Sequence, residues 1–75
     1  MAAVRRFDSR ALYRAIDERR QALGLSWAEV ARQMGVAAAT LTRTKQGGRL
    51  EVDGMLAMVG WLQQPVERFV REAET

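Results

Sequence analysis

Apolar positions along the chain recur mostly at helical spacing. Leu12, Ala15, Ile16, Arg19 and Leu23 fall three or four positions apart, and Asp8 is placed to cap the turn before them. Gly24 stops this first helix, and Leu25 packs back on it. Ser26-Trp27-Ala28-Glu29 has the form of a capping box, with Ser at the N-cap and Glu three residues on. Ala28, Val30, Ala31 and Met34 carry the second helix to Gly35. A third helix starts near Ala37, with Val36, Thr40, Leu41 and Thr44 inward, and Gly47-Gly48 ends it. Asp53 opens a fourth, whose apolar set is Val52, Met55, Leu56, Val59 and Leu62. Pro65 suits the first turn of a fifth helix, from Val66 to about Glu72, anchored by Val66, Phe69 and Val70. The residues before Asp8 read as a loose basic lead-in, and no run alternates with period two long enough to predict a strand. The expectation is all-α: one compact domain of five short helices over residues 8–72, without a linker to divide it.

Composition narrows the chemistry. The chain has 75 residues, 48% of them hydrophobic, which suits one small core. It has no cysteine and no histidine. Disulfide staples, cysteine-ligated metals, thiol nucleophiles and the usual neutral-pH acid–base residue are therefore excluded. Asp17 and Glu18 are adjacent and do not face one another on a helix. Ser9 and Ser26 sit where caps belong and lack a base. An enzyme is not expected, nor is any cofactor or metal. No stretch approaches the roughly 18 apolar residues of a membrane span, and the charged N-terminus lacks the apolar run of a signal peptide. The expected setting is cytoplasmic and nucleoid-associated, with no membrane partner.

Charge is uneven. The formal net charge is +3, and eleven of the twelve basic residues are Arg. Residues 32–49 hold Arg32, Arg43, Lys45 and Arg49 without an acid, whereas residues 50–75 are net acidic. An acid-free basic segment is the electrostatic footprint expected of a nucleic-acid binder, although exposed Arg also serves simply to solvate helix faces.

The run from Leu25 to Arg43, LSWAEVARQMGVAAATLTR, resembles the helix-turn-helix of the Cro/phage-repressor (XRE-like) family. Ala31 stands where the two helices cross closely, Gly35 where the turn is left-handed, and Val36 and Leu41 where apolar residues lock the pair. The resemblance covers about 65 residues, with the two motif helices at about 26–46. It implies a five-helix, phage-repressor-like domain whose third helix enters the major groove of double-stranded DNA. By that resemblance Ala38, Ala39, Thr42 and Arg43 face bases. Arg43 suits guanine, and the alanines offer only contact with thymine methyls. Arg14, Trp27, Arg32, Lys45, Gln46, Gly47, Gly48 and Arg49 fall at phosphate-contacting positions, with the Gly47 and Gly48 N–H groups free for an anion. The family usually has a polar residue at Trp27 and a capping Ser or Thr at Ala37, and this chain has neither.

The C-terminal third is rich in apolar residues. Met58, Trp61 and Phe69 are candidates for a homodimer surface, since Met and Trp favour such interfaces. The leading expectation is a sequence-selective DNA-binding transcriptional regulator acting as a homodimer. The alternatives are a protein-interaction module on the same scaffold, with a protein partner at Trp27 and the Ala37–Ala39 face, or the antidote member of a two-protein system.

Overall fold

The computed structural model describes residues 3–74; Met1 and Ala2 of the lead-in lie outside them. The elements are β1 (Ala3–Phe7), α1 (Ser9–Leu23), α2 (Trp27–Met34), α3 (Ala38–Gln46), α4 (Val52–Leu62), a 3₁₀ turn (Val66–Phe69) and β2 (Val70–Glu74). The result is a small, mostly α-helical domain of four main helices, with a two-stranded ribbon joining the chain's two ends.

The helix boundaries follow local chemistry. Asp8 accepts from the Ala11 N–H at 3.0 Å and caps α1. Ser26 and Glu29 form the full capping box of α2, with the Ser26 N–H donating to Glu29 Oε1 at 2.9 Å. Gly35 ends α2 at φ 74°, in the left-handed region that a side chain enters at a cost. α3 begins at Ala37 without any side-chain cap. α4 starts one residue before Asp53, with Glu51 at its N-cap.

The core is one cluster. Leu12 and Ile16 of α1 meet Val30, Ala31 and Met34 of α2, Leu41 of α3, Met58, Val59 and Leu62 of α4, and Phe69. Thr44 is fully buried among them, and its hydroxyl donates to the Thr40 carbonyl at 2.7 Å.

Three expectations are corrected. The fifth helix is a single 3₁₀ turn, after which Val70 is already extended. A 3₁₀ turn has three residues per turn, so Val66 and Phe69 still point the same way, and Phe69 reaches the core. From Ala3 to Phe7 the lead-in is a strand, paired antiparallel with β2 so that Phe7 opposes Val70, Arg6 opposes Arg71 and Arg5 opposes Glu72. Phe7 packs on Phe69 with ring centroids 6.2 Å apart, and the Asp8 N–H donates to the Phe69 carbonyl at 2.6 Å. These contacts tie the ribbon to the helices. The third correction concerns the proposed self-association surface. Met58 is 0% exposed and Phe69 3%, so both belong to this chain's own core. Trp61 is half-buried; its indole N–H donates to Gln33 at 2.9 Å, and the Arg19 guanidinium lies 5.4 Å from its ring. The exposed large apolar residues are instead Leu23, Val52 and Leu56.

Candidate functional site

α3 is held at both ends by other elements. At its start, the Gly35 and Val36 N–H groups both donate to the Ala31 carbonyl, at 2.9 and 3.1 Å, which closes the turn between α2 and α3. At its end, α1 holds one carbonyl of the last turn and one of the loop that follows. Ser9 donates to the Gly48 carbonyl at 3.0 Å, and Arg10 donates to the Gln46 carbonyl at 3.0 Å. With Leu41 and Thr44 buried, the remaining face carries Ala38, Ala39, Thr42, Arg43, Lys45 and Gln46, all exposed. Thr42 bonds back to the Ala38 carbonyl at 3.3 Å, and Arg43 makes a long 3.4 Å bond to Thr40. That bond is weak enough for a better acceptor to replace.

Seven of the expected DNA-contacting residues line two grooves. The first, about 430 Å³, lies between α1, α2 and the length of α3, and is lined by Tyr13, Trp27, Ala28, Ala38, Leu41, Thr42 and Lys45. Trp27 is stacked on Tyr13, with centroids 4.9 Å apart and planes 12° apart. The Arg20 guanidinium is 4.7 Å from the Trp27 ring. Arg20 also pairs with Asp17 at 2.8 Å and donates to the Leu25 carbonyl at 3.0 Å. Burial first, and Asp17 second, raise the Tyr13 pKa, while the Arg20 hydrogen bond is the largest cause lowering that of Asp17. Trp27 is therefore a wall of this groove, fixed by α1.

The second groove, about 440 Å³, lies beyond the C-terminal end of α3. Arg6, Phe7, Ser9, Gly47, Gly48, Arg49, Leu50, Met55 and Arg71 line it. It contains three of the expected phosphate positions, but one expected mechanism fails. The Gly47 N–H donates to the Thr44 carbonyl and the Gly48 N–H to the Arg43 carbonyl, each at 3.1 Å. Both amides are used in ending α3 and are not free for an anion.

Arg14, Arg32, Ala39, Arg43 and Gln46 are exposed and line neither groove. Four residues escaped the sequence reading. Tyr13 and Arg10 lie on α1 at helical spacing with Asp17 and Arg20, a signal that was present. Arg6 and Arg71 become neighbours only through strand pairing, which no local pattern announces. Among the described residues there is no group of three or more acidic side chains that could hold a metal ion, and no helix is long and apolar enough to cross a membrane.

The chain matches no protein-family model, no curated protein sequence and no solved structure.

Proposed function

We propose that this chain binds double-stranded DNA in a sequence-selective way, as a small transcriptional regulator of the Cro/phage-repressor type. The observation that carries the reading is the exposed face of α3. Ala38, Ala39, Thr42 and Arg43 stand free of the core on a helix held at both ends, within an acid-free basic segment. A helix of nine residues is about 13 Å long and fits the major groove. In this reading Arg43 exchanges its bond to Thr40 for a guanine edge, and Ala38 and Ala39 approach thymine methyls. Lys45, Gln46, Arg49, Arg14 and Arg32 meet phosphates and set the register. Pairing of two protomers on adjacent half-sites belongs to the same proposal, through a surface other than Met58 and Phe69.

The test is a fluorescence-anisotropy titration of labelled duplexes at several salt concentrations, with selection of a preferred site. Wild type should bind random duplex with a steep salt dependence and bind its selected site more tightly. R43A should lose about 1–3 kcal/mol on the selected site and relax the preference there. Absence of duplex binding at low salt would refute the reading. One observation favours a second one, a protein-interaction module: the groove at Trp27 and Ala38 is walled largely by apolar side chains. Under that reading Ala28→Glu abolishes binding of a partner protein, whereas R43A has no effect on it.

A further inference from the structure

Arg6 and Arg71 sit directly opposite one another on the ribbon. Like charges in that position are unfavourable, and the next pair along, Arg5 with Glu72, has the opposite-charge arrangement that stabilises a ribbon. Arg6 and Arg71 share a groove with Arg49, and among the described residues no carboxylate lines it. The smaller hollow beside it, which Arg71 also lines, holds one carboxylate, Asp8, with Oδ1 capping α1; one carboxylate against three guanidinium groups leaves the surface net positive. Among the described residues the single ion pair is Arg20–Asp17, and the side chains of Arg6, Arg49 and Arg71 make no hydrogen bond. Arg10, which lines the smaller hollow, is different: its guanidinium donates to the Gln46 carbonyl. Among the described residues, three Arg side chains without an ion pair, from three chain segments, thus line one concave surface. Each presents a planar fork of donors matched to phosphate oxygens.

We propose that Arg6, Arg49 and Arg71 form a phosphate clamp for the DNA backbone, separate from the α3 face and built by the pairing of the chain's two ends. The proposal rests on the DNA-binding reading and extends it. The ribbon adds one or two phosphate contacts beyond the end of α3, on side chains rather than on the occupied Gly47 and Gly48 amides. These contacts carry no sequence information. They change the salt dependence of binding on every duplex alike.

The experiment compares wild type, the double variant R6A/R71A and the single variant R71E on random-sequence and selected duplexes across a salt series. Each lost phosphate contact should flatten the slope of log K against log salt by about 0.9. R6A/R71A should therefore lose about 1–2 units of slope, equally on all sequences. R71E should lose as much while its melting temperature holds or rises, because the introduced carboxylate would neutralise Arg6 across the ribbon. A fall in melting temperature with R71E would show that the pair serves the fold and overturn the clamp. An unchanged slope in R6A/R71A would overturn the clamp and leave the DNA-binding reading standing. If wild type binds no duplex at all, the DNA reading and the backbone occupant both fall. Titration of wild type with inorganic phosphate and tripolyphosphate, followed by NMR at the Arg6, Arg49 and Arg71 side-chain N–H groups, then separates the sources. Saturable shifts would identify a site for free phosphate anions in place of a backbone clamp, and no shift would remove the site altogether.

Discussion

Replacing Gly47 by Ala tests how α1 and the end of α3 are joined. Gly47 has φ 78°, where an L-residue is strained by roughly 1–2 kcal/mol. Stiffening the unfolded chain offsets about 0.4–1 kcal/mol of this, so a net cost near 1 kcal/mol is expected from the backbone alone. Gly35 supplies the control, since it has φ 74° and a Cβ there would meet nothing within 4 Å. At Gly47 the added Cβ would stand 2.6 Å from Arg10 Nε and 3.1 Å from its Cγ and Cζ. The Arg10 side chain must then move and release the Gln46 carbonyl, a loss of about 1 kcal/mol. G47A should cost about 2 kcal/mol against about 1 for G35A. For a domain of this size that lowers the melting temperature by roughly 8–16 °C against 4–8 °C. Urea unfolding followed by circular dichroism measures both. In an R10A background the G47A cost should fall to that of G35A, a coupling of about 1 kcal/mol. Equal costs for G47A in both backgrounds, or G47A no worse than G35A, would refute the reasoning.

Two further outcomes follow from the packing and the charges. M58A should cost about 3 kcal/mol, since it empties a fully buried site and removes the sulfur beside Thr44; an effect under 1 kcal/mol by the same urea assay would place Met58 outside the core. Glu29 is held below the usual carboxylate range mainly by the Ser26 backbone N–H, and Asp17 mainly by Arg20. Both bind protons less readily folded than unfolded, so their contribution is present at neutral pH and is lost as the pH falls below about 4, through the lowered values. Melting temperature against pH should drop less steeply in acid for E29Q than for wild type, and an identical acid limb would contradict the capping geometry.

Much of the helical frame was legible because its signals are local. Asp8, Ser26 with Glu29, Gly35 and Gly47 each act on backbone groups within a few residues, and each does in the structure what its spacing implies. α4 was harder. Its sequence, VDGMLAMVGWL, is apolar almost all round, so Val52-Met55-Leu56-Val59 and Met55-Met58-Val59-Leu62 are equally good stripes by spacing. Tertiary packing selects the second and leaves Val52 and Leu56 outside. The ribbon was invisible for a different reason. Five-residue strands carry little periodicity, and each partner lies at the far end of the chain. The candidate site divided along the same line. Its α3 residues came from the motif's spacing, whereas Arg6 and Arg71 depend on a register that only the folded chain defines.

The ribbon also sets an order of events in folding. Phe7 and Val70 are sixty-three positions apart, and closing so long a loop in an unfolded chain costs roughly 4 kcal/mol in the length-dependent entropy alone. Five residue pairs do not repay that unaided. Once α1, α4 and Phe69 have docked, the two ends are delivered side by side and most of the entropy has already been lost. The ribbon therefore closes last and opens first, below the free energy of global unfolding. An anion seated between Arg6 and Arg71 would hold that seam shut, so that occupancy of the groove registers as slowed amide exchange along both strands.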